Sequence, residues 1–352
     1  VAGSRAGDQA RDNLGLGVEQ FEPGLDRGQD VSDLRHRGRT TRHHRDRGLP
    51  GCAQASDLAV AFMTSGTTGT PKLPALTHQH VVAHLRAAAQ AARVKPGTTS
   101  LLVLPFCGTF GFLSAMSALS GGGRIVLLPR FKSSSAAELI DRFGVTHVNG
   151  SDDMLLAIIG QGRKLSSWRY GVQAEFSGHG ERAVAAAGER GVQITGVYGS
   201  SETFGLLAMR APEEPLERRW RAGGTFVADQ MEVRIAEPGD PAGASTAMGE
   251  IQFRGPSVPD AYLQADGTMP PALTGDGWFC TGDHGQLYED GGFTYMARQD
   301  DALRRAGLLV DPAEIERFLE RHPAVNQAQV VDLAKDDGHQ VAVRVRHRPR
   351  HR

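Results

Sequence analysis

The chain has 352 residues, 40% hydrophobic and 22% charged, enough for one large or two ordinary globular domains and unlike a fibrous or wholly disordered protein. Its formal charge of -1 averages Arg-rich ends over a net-acidic body: residues 1–50 hold nine Arg and eight Asp or Glu, and the last nine residues hold five Arg and no acid. An acidic body excludes bulk nucleic-acid binding, which needs Lys and Arg clustered in excess.

Cys52, Cys107 and Cys280 have no spacing that suits zinc or a disulfide framework, which fits a reducing, cytoplasmic setting. No apolar run approaches the roughly 20 residues of a membrane span, so no transmembrane segment is expected. The chain starts at Val1 rather than Met, the mark of an unusual start or an incomplete sequence. Only five lysines occur, at positions 72, 95, 132, 164 and 335, so chemistry that needs an ammonium has few candidates.

Along the chain, residues 1–56 mix Arg, Asp and Gly without periodicity and predict disorder; Asp26, Asp30, Asp33 and Asp46 interleave the arginines and argue against a basic arm. At Leu58 the pattern changes. LAVAFM (58–63) reads as a buried strand, a Gly/Thr loop follows, and Thr77 offers an N-cap to a helix with Val81, Val82, Leu85, Ala88, Ala89 and Ala92 on its apolar face. Strand and helix signals then alternate to VQITGVY (192–198), the pattern of a mostly parallel sheet covered by helices.

After Arg210 short alternating runs, MEVRIA, GEIQFRG, WFCTGD and FTYMAR, predict a smaller antiparallel β lobe. Beyond Arg298, Asp311-Pro312 starts a helix PAEIERFLER and VNQAQVVDL returns to strand, a partial α+β carboxy-terminal domain. The predicted class is therefore α/β, with domains at 57–297 and 298–343 and an Arg-rich tail at 344–352 that cannot bury either face.

The strongest motif is Thr64-Ser65-Gly66-Thr67-Thr68-Gly69-Thr70-Pro71-Lys72, directly after a strand. Glycines let backbone amides approach phosphate oxygens, hydroxyls add neutral donors and Lys72 supplies charge. It is no Walker A loop, because Thr70 and Pro71 separate the last Gly from Lys72. Read alone, it is also compatible with a Ser/Thr-rich surface turn.

TSGTTGTPK resembles the phosphate-loop signature of the adenylate-forming (AMP-binding) superfamily, acyl-CoA synthetase branch. Further motifs follow in that family's order: Tyr198-Gly199-Ser200-Ser201-Glu202 resembles YGxTE, GEIQFRG (249–255) resembles GEIxxRG, and Gly277 to Asp283 resembles GWxxTGD. Arg298-Gln299-Asp300-Asp301, with Gly307 and Pro312 to Glu316, resembles the hinge and the start of the small domain.

The resemblance implies ATP, Mg²⁺ and coenzyme A, and a reaction that joins a fatty or related apolar carboxylic acid to the α-phosphate before passing it to a thiol. It implies Thr64, Lys72 and Glu202 as the catalytic set, with residues 64–72 on the β and γ phosphates, Glu202 on Mg²⁺ and Ser201 on the α-phosphate. Gly178, His179 and Gly180 would line the adenine, Tyr198 would lie on its face beside Gly199, Asp283 would hold the ribose with Arg298, and Asp300 would be the hinge. Taken singly, a Tyr-Gly after a strand is usually core and an Asp in a turn usually caps backbone. A carrier protein in place of coenzyme A, or a nucleotide-binding fragment without turnover, are the alternatives.

Departures from the family pattern are specific. A long amino-terminal subdomain and a late adenylation lysine are not visible, and Lys335 sits in an ordinary AKDDG turn. The composition changes at both ends predict a truncated or frame-shifted chain. Ala306 stands for one glycine of the adjacent pair that the family often has by the thiol tunnel, and Gly108 stands where the acyl pocket often has His. Cys107 is expected as a packed small side chain, and His147 and His179 as hydrogen-bonded structural residues.

Overall fold

The computed structural model describes residues 53–64, 72–236, 248–264, 266–298, 303–305, 308–310, 312–335 and 338–347. These fall in one compact unit, Ala53–Arg352; the disorder expected over residues 1–56 lies almost wholly outside the described residues.

β1 (Leu58–Ala61) pairs antiparallel with β2 (Ala75–Thr77) in a two-stranded sheet of their own. The buried strand expected over 58–63 is thus corrected: Leu58 is 42% exposed, and within the run only Phe62 reaches the core. Thr77 caps α1 (His78–Ala91) as expected, its hydroxyl accepting from the His80 amide at 3.3 Å. Val81, His84, Leu85, Ala88 and Ala89 form the buried stripe; Val82 lies about 100° round the helix from Val81 and stays exposed.

The parallel part follows: β3 (Thr99–Leu102), α2 (Thr109–Ser120), β4 (Arg124–Leu127), α3 (Ser133–Phe143), β5 (His147–Ser151), α4 (Asp152–Ile159), β6 (Tyr170–Ala174), α5 (Gly180–Gly188) and β7 (Gln193–Tyr198). Helices cover both faces. Ile140, Leu155, Ile158 and Trp168 pack one core, and Leu85, Leu113, Val197 and Phe204 the other.

Next come β8 (Ala208–Met209), α6 (Leu216–Arg219), β9 (Gly223–Phe226), β10 (Glu232–Ala236), β11 (Met248–Arg254), β12 (Phe279–Leu287) and β13 (Phe293–Arg298). This is the expected antiparallel lobe, and β8 and β9 join it to the parallel part in one eleven-stranded sheet, order β10-β11-β12-β13-β9-β8-β7-β6-β5-β3-β4. The seam needs glycine: at Gly223 and Gly224, with φ of +128° and +103°, a Cβ would lie 2.1 Å from the Phe293 and Met209 carbonyl oxygens respectively.

β14 (Leu303–Arg305) and β15 (Leu308–Val310) form a hairpin, then α7 (Pro312–Glu320) packs on the ribbon of β16 (Val325–Lys335) and β17 (Gly338–His347). Glu316 and Glu320 of α7 accept the Val330 and Ala328 amides at 2.7 and 2.8 Å. β17 runs through Arg344 and Arg346, so backbone pairing crosses the boundary drawn at 343/344 while those side chains stay exposed. Among the described residues, no helix is long and apolar enough to cross a membrane.

Candidate active site

The site collects at the end of β7. Tyr198 closes that strand, and Gly199 lets the chain fold back so tightly that a Cβ there would lie 2.3 Å from the Gly205 carbonyl oxygen. Within this turn the Ser200 amide donates to Thr203 Oγ1 at 2.9 Å and the Gly205 amide to the Ser200 carbonyl at 2.7 Å. Phe204, at φ 53°, sends its ring into the cluster of Phe62, Phe112 and His84, which fixes the turn from below. Ser201 Oγ accepts from Thr109 Oγ1 at 3.1 Å, and Glu202 is partly buried beside them in sequence.

Tyr198 donates its hydroxyl to Asp283 Oδ2 at 2.6 Å, and Arg298 Nη1 donates to Asp283 Oδ1 at 2.7 Å. Arg298 is the cross-strand partner of Asp283 on β13, so the ladder itself delivers that pair. Tyr198 is different. β7 and β12 stand four ladder steps apart, about 19 Å in a flat sheet at 4.7–4.9 Å per strand, so the sheet curls to bring them together.

Burial pushes the Asp283 carboxyl above the usual carboxylate range, opposed by the Tyr198 hydroxyl and the Arg298 charge. Burial and the neighbouring Asp283 charge also push the Tyr198 phenol well up, so it remains a neutral donor. The GEIQFRG segment holds the turn before Asp283: Glu250 Oε1 accepts the Gly282 amide at 2.9 Å, and Glu250 Oε2 accepts Gln252 Nε2 at 3.0 Å.

The Tyr198 ring is enclosed by Phe253, Phe293 and Tyr295 at 5.7, 5.2 and 5.9 Å, leaving 5% of the residue exposed. These three aromatic neighbours come from β11 and β13 and hold the ring so that its hydroxyl meets Asp283.

Of the phosphate loop, Ser65, Gly66, Thr67, Thr68 and Gly69 lie outside the described residues. Its two ends are held together, the Thr64 amide donating to the Lys72 carbonyl at 2.9 Å across an antiparallel bridge. Lys72 Nζ lies 5.5 Å from the centroid of the Tyr262 ring. Burial first, then the Glu202 charge, pushes the Tyr262 phenol up to about 12, against the opposing Arg298 charge. Tyr262 thus sits among Lys72, Glu202 and Arg298.

The loop carrying Gly178, His179 and Gly180 is anchored by Asp152, which is 0% exposed: its carboxylate accepts the amides of Phe176, Ser177 and His179 at 3.2, 3.2 and 2.8 Å. Gly180 opens α5, and His179 Nε2 lies 4.0 Å from Glu320 of α7. A cleft of about 500 Å³ opens beside this loop, lined by Phe176, Gly178, Trp220, Tyr295, Arg317 and Phe318 among others. Asp152, Asp153 and His179 are grouped closely enough to suggest metal ligands, but the Asp152 oxygens already serve three amides. Asp300, Ala306 and Gly307 lie outside the described residues.

One expectation changes. Cys107, expected as packed, is exposed, because it precedes the Gly108 N-cap of α2 at the surface; Cys280 is exposed too. His147 is buried, bonded to Thr146 Oγ1 at 2.8 Å, and burial lowers its pKa to about 4. Sequence reasoning missed Asp152, Glu250, Thr109 and Tyr262 as site residues. Asp152 carried a faint signal, an acid in the first turn of a helix capped by Ser151. Tyr262 carried only its position between two motifs.

The chain matches the AMP-binding enzyme family over residues 16–263. It belongs to that family. The match begins within the stretch expected to be disordered, well ahead of the boundary drawn at 57. Among the relatives of this family member, 2-succinylbenzoate–CoA ligase of Geobacillus kaustophilus is 31% identical over 300 residues, 84% of this chain and 60% of the relative. Salicylyl-CoA synthase / salicylate adenylyltransferase of a Streptomyces species is 27% identical over 326 residues, 88% and 57% of the two chains. The solved O-succinylbenzoate coenzyme A synthetase of Bacillus subtilis, in complex with ATP and magnesium ion, superposes with TM-score 0.72 at 26% identity, covering 83% of this chain and 61% of that one. The chain spans 57–60% of the length of these two curated relatives.

Proposed function

We propose that this chain carries the ATP site of an acid:CoA ligase that forms an acyl-adenylate and then an acyl-CoA. The observation that carries the reading is the Tyr198–Asp283–Arg298 arrangement: one buried carboxylate, oriented from two sides, at the point where four motifs in family order converge. Asp283 offers paired acceptors to a ribose diol, and the closed ends of loop 64–72, with Lys72, face the phosphates. Ser201 and Thr109 place hydroxyls beside the same turn.

Glu202 fits magnesium. Mg²⁺ binds through one or two carboxylates plus phosphate oxygens and water, and Glu202 is a single, partly buried carboxylate whose field reaches Tyr262 and Arg298. When bound there, Mg²⁺ would neutralise charge on the phosphates. The residues themselves bind and orient. The substrate carboxylate oxygen attacks the α-phosphorus, pyrophosphate leaves, and a thiol then attacks the acyl carbon with AMP as leaving group.

The sequence favours a fatty or related apolar acid; the relatives named for 2-succinylbenzoate and salicylate support aryl carboxylic acids as the first to try. Coenzyme A is the proposed acceptor, with a carrier protein as the alternative. A second reading is nucleotide binding without turnover, which the Tyr198–Asp283–Arg298 arrangement would serve equally. Acid-dependent pyrophosphate release from Mg-ATP, with salicylate, 2-succinylbenzoate and a fatty acid as substrates, decides between them. Release that is lost in Lys72→Ala and Glu202→Ala supports the ligase. ATP binding without release from any acid supports the second reading, and a chain that binds no ATP sinks both.

A further inference from the structure

We infer that Tyr262 is a positioning residue for Lys72, its ring holding the ammonium in place at the outer post of the phosphate loop. The inference deepens the ATP-site reading above and rests on it.

Main-chain geometry fixes Tyr262 from both sides. The Ala75 amide donates to the Ala261 carbonyl at 3.0 Å, the Leu263 amide donates to the Leu73 carbonyl at 2.8 Å, and Pro74 bridges Tyr262. On the far side the Tyr262 amide donates to the Pro270 carbonyl at 3.0 Å. The segment that follows the phosphate loop is therefore stapled to a strand-like stretch between the GEIQFRG and GWFCTGD motifs, and the ring is carried on that staple.

The side chains complete the case. Lys72 Nζ lies 5.5 Å from the ring centroid, within the roughly 6 Å reach of a cation–π contact. Among the described residues Lys72 makes no salt bridge, and the Tyr262 ring is the group its ammonium meets. An ammonium has three N–H donors; a ring against one side leaves the others for phosphate oxygens. Lysine has a flexible four-carbon stem, and a stem already ordered loses less freedom when an anion arrives.

The test is binding of ATP and of AMP, each with Mg²⁺, to the 352-residue chain by titration calorimetry. AMP lacks the β and γ phosphates that Lys72 would meet. Tyr262→Leu is expected to weaken ATP about tenfold and AMP less than twofold, the scale of one ordered side chain. Tyr262→Phe restores the lost ATP affinity because the ring returns. Lys72→Ala with Tyr262→Leu binds ATP no more weakly than Lys72→Ala alone. Should the Leu variant fail to fold, Tyr262→Met removes the ring at similar bulk and takes its place. ATP affinity unchanged in the ring-less variant, a parallel loss of ATP and AMP, or additive effects in the double variant would each overturn the assignment. A parent chain that binds neither nucleotide overturns the ATP-site reading itself, an outcome distinct from a binding parent whose variants match it.

Discussion

Asp283 shows how much one carboxylate depends on its two donors. Its oxygens are divided between a phenol and a guanidinium, and burial makes each donor matter more than it would at the surface. Replacing Tyr198 by Phe removes one donor and keeps the ring in its aromatic box. ATP and AMP affinities are expected to fall in parallel, by about tenfold, since both nucleotides carry the ribose and a net hydrogen bond is worth about 1 kcal/mol, more to a charged group. Calorimetry with the two nucleotides measures this. A loss confined to ATP would show that Asp283 does not serve the ribose. The contrast with Tyr262→Leu, expected to act on ATP alone, separates the two tyrosines by chemistry.

Elements are held in register by buried polar residues that carry no motif. Asp152 opens α4 and reaches across to the loop after β6, so that loop is set by a neighbouring helix more than by its own sequence. Asp152→Ala leaves three amides without their acceptor and should lower the unfolding free energy by about 3 kcal/mol, read from urea melts, with faster hydrogen exchange over residues 176–179. Arg210 does the same at the seam of the sheet. It is 1% exposed, donates to the Phe293 carbonyl at 3.1 Å and to Thr294 Oγ1, and lies 3.5 Å from Glu214. Arg210→Met should cost about 3 kcal/mol, because the Phe293 carbonyl and Thr294 Oγ1 lose a buried donor and Glu214 keeps only Arg218, at 3.5 Å. A melt unchanged within about 0.5 kcal/mol would show that β8, β9 and β13 hold together without it.

Across the whole molecule, two buried histidines tie the core to pH. His84 on α1 bonds Ser257 at 3.0 Å and packs on Phe204, and His147 opens the parallel strand β5; burial lowers both to about 4 from 6.5. Between these values the unfolded chain binds protons that the folded chain does not. Stability is therefore expected to fall as pH drops from about 6.5 to about 4, and to be unaffected by these groups above that window. Each histidine contributes a slope of up to about 1.4 kcal/mol per pH unit. His84→Gln should remove one such slope from urea melts taken across this window; an unchanged pH dependence would mean that His84 is protonated in the folded protein.

Local chemistry was legible in the sequence. Thr77 caps α1, Gly144 ends α3 in a left-handed conformation, and strand and helix alternate as the apolar spacing predicts, because caps and periodicity act over a few residues. The motifs set Tyr198, Glu202, Asp283 and Arg298 in one family-like order along the chain. Contacts between distant segments were not legible. The curl that sets Tyr198 on Asp283, the joining of both halves into one sheet through Gly223 and Gly224, the Asp152 anchor and the ring of Tyr262 beneath Lys72 all depend on which surfaces meet when strands twist and pack. Residue types and short-range spacing specify what each segment can do. Only the tertiary structure decides which buried donor finds which acceptor, because desolvation favours whichever partner packing brings within reach of an enclosed polar group.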